Sequence, residues 1–170
     1  MLIDEIEKEP FDEFGISVRY QQVLKSGEYV STCTLAATLL STGADVTATF
    51  LASASATIPA GVAISGTTTT IKDDTDLVVL GFKVGDYVVN QTKGYTALIK
   101  EIVFGSVKND TLVFPEQAIA AAVSDVFSAA KAIASIKAGS DGNRVKVIFS
   151  MTTNLGSKFQ DEILVNVKDY

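Results

Sequence analysis

Asp73, Asp74 and Asp76 fall within four positions of one another, in the run Lys72-Asp73-Asp74-Thr75-Asp76. Carboxylates at that spacing could hold a calcium ion. The run lacks the sixth-position glycine and closing glutamate of an EF-hand loop, so its ordinary reading is a solvated loop. Ser140-Asp141-Gly142-Asn143 also offers oxygen ligands, but Asp-Gly is first a signal for a tight turn. The chain contains no histidine, which removes the commonest general base and metal ligand together with every Ser-His and Cys-His dyad. Catalysis would fall to carboxylates such as Asp73, Asp74 or Glu101, or to a lysine. The single Cys33 excludes an intrachain disulfide and reads as a packed strand residue. Phosphate-loop, dinucleotide-fold, nucleophile-elbow and zinc patterns are all missing. The expectation is a protein with no catalytic, cofactor-binding or metal site, and not an enzyme.

Charge is placed unevenly. Residues 1–14 hold six acids (Asp4, Glu5, Glu7, Glu9, Asp12 and Glu13) against one base, Lys8, while the whole chain of 170 residues is only −6. An acidic segment on a nearly neutral body does not suit nucleic acid, which would require clustered lysine and arginine. The segment also carries Leu2, Ile3, Ile6, Phe11 and Phe14. It therefore reads either as a solvated tail or as a docking arm whose partner-binding anchors are those five residues. The opening residues have no basic start and no apolar stretch of the kind that directs secretion, and no apolar run is long enough to cross a bilayer. The expected setting is a soluble protein made in the cytoplasm, without membrane contact.

The elements around these residues are strands. Ile16, Val18 and Tyr20 alternate with polar neighbours in a first strand ending near Leu24. Lys25-Ser26-Gly27-Glu28 turns into a second strand from Tyr29 to Leu40, and Ser41–Asp45 turns into a third from Val46 to Ser55. Short strands follow at 62–64, 68–72, 77–80, 86–90, 95–103 and 111–114, with Gln91-Thr92-Lys93-Gly94 reversing a hairpin. Gly85-Asp86 before Tyr87-Val88-Val89 is similar to the strand opening of SH3-like barrels, and it reads as structural. Glu116–Ala122 has helical propensity behind Pro115, and a strand is expected from Ala129 to Lys137. Val145, Val147, Phe149 and Met151 then alternate with Arg144, Lys146 and Ser150, and after Asn154-Leu155-Gly156-Ser157 the period resumes at Ile163, Val165 and Val167. The fold expected is all-β: an acidic arm at 1–14, an immunoglobulin-like antiparallel β-sandwich from 15–56 and 115–170, and an inserted small β-barrel or hairpin module at 57–114.

Several short stretches resemble immunoglobulin-like proteins of tailed-bacteriophage virions. They are Ile16-Ser17-Val18 through Leu24-Lys25-Ser26-Gly27-Glu28, Val30-Ser31-Thr32, Asp45-Val46-Thr47, Ile136-Lys137-Ala138-Gly139 with Asp141-Gly142, Thr152-Thr153-Asn154-Leu155-Gly156, and Glu162-Ile163-Leu164-Val165-Asn166-Val167. Gly81-Phe82, Val84-Gly85-Asp86, Val88-Val89-Asn90 and Thr111-Leu112 look like a β-module recurrent in phage structural proteins. The resemblance implies a neck or head–tail connector, tail or capsid-decoration protein. Its partners would be other virion proteins (portal, connector, tail or capsid) and copies of itself in a ring or lattice. It supplies no functional residues. A rival expectation is an adhesin or glycan-binding module using the threonines 67–70 with Tyr87 and Tyr95.

Overall fold

The computed structural model describes residues 2–8, 14–105, 109–115, 120–137 and 139–168. Among them the chain is nearly all β, with fourteen strands and one helical turn. They form two compact units: unit 1 gathers 1–18, 30–57 and 132–170, and unit 2 gathers 19–29 and 58–131.

Unit 1 is β-sandwich-like. Its larger sheet runs in the order β1 (Leu2–Lys8), β14 (Lys158–Val167), β13 (Arg144–Thr153), β3 (Val30–Leu39). Strict alternation on β13 buries Val145, Val147, Phe149 and Met151, and β14 buries Ile163, Val165 and Val167 on the same face. The hairpin between them turns at Asn154–Ser157, where Gly156 supplies a φ of 81°. β1 joins β14 in parallel, from Leu2 opposite Glu162 to Lys8 opposite Val167.

The second sheet pairs β2 (Phe14–Arg19) with β12 (Lys131–Ile136). Residues 44–57 connect the two sheets, bonding to β3 through Val46 N–H to Ala37 O and Ala56 N–H to Cys33 O. They reach β12 through Ala52 N–H to Ser135 O and Thr57 N–H to Ile133 O. The outer edge of β3 is thereby covered.

Unit 2 is built from eight short strands: β4 (Ala60–Val62), β5 (Ser65–Gly66), β6 (Thr70–Lys72), β7 (Tyr87–Asn90), β8 (Tyr95–Leu98), β9 (Glu101–Val103), β10 (Thr111–Val113) and β11 (Val126–Ala129). One sheet runs β5-β6-β10-β9 and the other β4-β11-β7-β8. They are joined at two corners by continuous chain. At the first, Ala63 N–H reaches Asp125 O and Ile64 N–H reaches Lys72 O. At the second, Ile99 N–H reaches Asp86 O and Lys100 N–H reaches Val113 O. Each corner residue thus bonds to a different sheet, and the ladder closes into a small antiparallel barrel. Ile71, Leu77, Phe82, Leu112 and Phe127 fill it, with the Phe82 and Phe127 rings 5.7 Å apart and tilted.

Several expectations from the sequence change. The strand foreseen at Val46–Ser55 begins instead as the helical turn α1 (Thr47–Phe50). Just before this turn the Asp45 carboxylate accepts the Thr47 N–H at 2.8 Å, an alternative to ladder pairing for that group. That bond, with the Thr47 hydroxyl, holds the Asp45 carboxyl below its ordinary pKa. The apolar run at 77–80 is a turn, held by Asp76, whose carboxylate accepts the Val79 N–H at 3.0 Å. The helical turns expected at 116–122 lie partly outside the described residues. Residues 120–125 form a non-helical turn with Ser124 at φ 68°. The strand expected from Ala129 to Lys137 is present as β12, and a separate strand, β11, precedes it. Where the sequence reading drew a separate arm at 1–14, Leu2–Lys8 is β1, a strand of unit 1, and Phe14 opens β2, while residues 9–13 lie outside the described residues. The module drawn at 57–114 extends to Lys131 and takes in 19–29, which the sequence reading left in the sandwich.

Candidate interaction surfaces and buried carboxylates

Of the acids that could have done chemistry, Asp73 is bound to backbone, whereas Asp74 and Glu101 are exposed. Asp73 is buried, and its carboxylate accepts N–H bonds from Val62 at 2.9 Å and Thr75 at 2.9 Å, plus the Thr75 hydroxyl at 2.6 Å. Asp74 and Asp76 are exposed, so the three aspartates do not converge. Among the described residues no group of three potential ligands is placed to hold a metal ion. Asp110 accepts the N–H groups of Leu77 at 3.0 Å and Gly105 at 3.2 Å, tying two loops. Glu28, also buried, accepts the Lys25 N–H at 3.0 Å. Strands of two to four residues leave many N–H groups off the ladder, and a short acid supplies the missing acceptor. These carboxylates are structural ties.

Asp125 closes a fuller network. The Asn90 amide donates to Asp125 at 2.9 Å and to the Tyr95 hydroxyl at 3.1 Å, while the Asn90 oxygen accepts the Lys93 N–H at 3.0 Å. Lys93 Nζ pairs with Asp125 at 3.3 Å. Burial, the strongest single influence, pushes the Asp125 carboxyl up. The Ala122 N–H, the Asn90 amide and Lys93 together outweigh it and hold the group below its ordinary value. Burial likewise raises the Tyr95 phenol, with the Asn90 bond opposing. Tyr95 is therefore part of the barrel interior and not a glycan platform, while Tyr87 remains partly exposed.

Asp86 carries the one deeply buried ion pair among the described residues. It contacts Lys131 Nζ, with side-chain exposures of 2% and 4%, accepts the Lys83 N–H at 2.8 Å and meets Arg19 at 3.3 Å. The lysine had no distinguishing local pattern. Its position in an alternating Ala-Lys-Ala stretch reads as the outward face of a strand. Cys33 is buried, and desolvation raises its thiol to about 11, which makes it inert.

Two surface regions stand out by position or exposure. The first is the edge where β1 lies on β14. Of the residues expected as anchors, Leu2, Ile3 and Ile6 are on β1, with Ile6 half-buried. Phe14 is half-buried at the start of β2, and Phe11 lies outside the described residues. The structure gathers three of the five on one strand. Glu7 pairs with Lys168, both half-exposed. Arg144 and Lys146 lie on β13 next to this end of β14, where Arg144 donates to Asn166 at 3.0 Å and Lys146 pairs with Glu162 at 3.5 Å. The second surface is on unit 2, where Asp110 draws the 76–81 turn and the 103–105 loop together. Val79 there is 80% exposed and Phe104 69%.

No protein-family profile matches the chain, and no curated protein matches it. Among solved structures, a DUF4466 family protein from Parabacteroides merdae is similar at a TM-score of 0.20 and 10% identity, over 90% of this chain and 43% of that one. The chain thus spans less than half the length of that protein. A likeness of that degree carries no weight for fold or function.

Proposed function

We propose that this chain is a non-enzymatic structural component of a tailed-phage virion, at the neck or on the head surface. It would act through protein–protein assembly, with an immunoglobulin-like sandwich as its scaffold. The observation that carries the reading is the strand order of unit 1. β12 pairs with β2 in one sheet while β3, β13 and β14 lie side by side in the other, which supports reading β2 and β12 as strands B and E, β3, β13 and β14 as C, F and G, and residues 44–57, which bond to both β3 and β12, in the place of D. The barrel then occupies the connection between D and E. The sequence resemblance in the same strands supports the virion setting. The commitment of the buried acids to backbone N–H groups supports a structural rather than a catalytic role. Virion proteins are present in many copies, so modest contacts at a strand edge and an apolar loop add up to firm attachment. The test is mass spectrometry of purified particles of the encoding phage, with light scattering on the isolated protein. Presence in the particle at a copy number matching a ring or lattice is the expected result. A strictly monomeric protein absent from particles overturns the proposal.

A further inference from the structure

We infer that a groove on unit 2, between the 21–26 turn and the β7–β8 hairpin, is a saccharide-binding site with the Tyr87 ring as its platform. The inference goes beyond the assembly reading and stands or falls apart from it.

The groove has a volume of about 340 Å³, within the range of small-ligand sites, about 300–1,000 Å³. Both of its walls are tied down. On one side the Tyr20 hydroxyl donates to the carbonyls of Ala129 and Lys131, each at 3.0 Å, and the Val23 N–H returns to Tyr20 O at 3.1 Å. The buried Glu28 carboxylate then holds the Lys25 N–H at 3.0 Å. On the other side Tyr87 and Thr96 share one face of the β7–β8 ladder, where Tyr87 opposes Leu98 and Thr96 opposes Val89. Val88 and Ala97, on the opposite face, belong to the barrel core. The walls meet at two glycines of positive φ, and a methyl group on Gly27 would lie 3.3 Å from Gly94 Cα. The Ser26 hydroxyl donates to Gly94 O across that approach at 3.4 Å. A groove fixed in this way loses little conformational freedom on binding.

The lining selects the ligand. Gln21 lines the groove, and its Oε1 is the one buried side-chain polar atom without a hydrogen-bond partner among the described residues. An unpaired buried acceptor is destabilising, and a ligand hydroxyl would pair it. Gln22 adds a second amide and Thr96 a hydroxyl. Amides and hydroxyls both donate and accept, which matches the hydroxyls around a sugar ring. Tyr87, 37% exposed, offers an aromatic face to the apolar side of that ring. Leu24 is the one aliphatic residue of the lining, so an apolar peptide side chain finds little to pack against. Peptide backbone is recognised along a strand edge, whereas this groove presents side chains. Lys25 admits an acidic sugar as well as a neutral one.

The test is saturation-transfer difference NMR on the full chain, with a neutral glucose trisaccharide and a galacturonic acid trisaccharide as probes at millimolar concentration. Transfer to at least one probe is the expected result. Tyr87→Ala, at a partly exposed position, should weaken that binding about tenfold or more. Gln21→Met keeps the side-chain length and removes the unpaired acceptor. It should weaken binding comparably while the urea midpoint holds or rises. Val79→Ser, outside the groove, should change nothing. Transfer to neither probe, binding that survives Tyr87→Ala or Gln21→Met, or a lowered midpoint in Gln21→Met overturns the inference. Membership of the particle is read separately by mass spectrometry, so either result can fail without the other.

Discussion

Removing Asp86 and removing Lys131 should not have additive effects, and the direction of the departure is diagnostic. In Asp86→Ala, Lys131 is left without its carboxylate partner in a site where only 4% of its side chain reaches solvent, and the Lys83 N–H loses its acceptor. Breaking a buried pair in this way costs about 3–5 kcal/mol. In Lys131→Met the carboxylate retains the Lys83 N–H and Arg19, whose side chain is 54% exposed, so the loss should be smaller, about 2 kcal/mol. The double variant removes both charges and leaves an apolar contact. It should recover most of what Asp86→Ala lost, ending within about 1–2 kcal/mol of the parent. The assay is urea unfolding followed by tyrosine fluorescence. The chain has no tryptophan, and Tyr20, Tyr29, Tyr87 and Tyr95 all belong to unit 2. Four of the five tyrosines thus report the unit that contains the pair, and Tyr170→Phe as the parent background removes the fifth, which belongs to unit 1. A double variant as unstable as the sum of the two single losses would refute the reasoning, because the two charges would then be acting independently.

Three further outcomes follow from the same structure. Asp125 is held below its ordinary pKa when folded, so its contribution is present above an unfolded value of about 3.9 and is lost as pH falls through the folded value. Comparing urea midpoints at pH 5 and pH 3 should show a smaller drop for Asp125→Asn than for the parent, and an equal drop would count against the network. Cys33, with its thiol raised to about 11, should react negligibly with a disulfide reagent at pH 8 until denaturant is added, whereas rapid native-state labelling would contradict its burial. Gly61→Ala would bring a methyl group to 2.6 Å from Phe127 and against the Asp73 carboxylate. It should destabilise the barrel by about 1–3 kcal/mol in the same urea assay, and an unchanged midpoint would disprove that packing.

The alternation on β13 and β14, the glycine turns at Gly94, Gly142 and Gly156, and the all-β class were legible in the sequence. Each is a local matter, since period-two burial and a positive φ are set by neighbouring residues. Legibility failed where one side chain overrode a propensity. Asp45 and Asp76 accept backbone N–H groups at turns inside stretches rich in valine and threonine, and β-branched content alone had suggested strands. The acidic composition of residues 1–14 hid β1, because a parallel edge strand is held by its backbone and its sequence need not alternate.

The residues by themselves determined which chemistry was available: with no histidine and one cysteine, the chain could offer little beyond carboxylates and lysines. Tertiary structure alone decided where those groups ended up. It buried Asp73, Asp86, Asp110 and Asp125 on backbone donors, and brought Lys131 to Asp86 across 45 residues. It also drew residues 19–29 into unit 2 and carried the first strand to the last. Such pairings depend on loop closure over long separations, and no local period or spacing records which distant partner a side chain will meet.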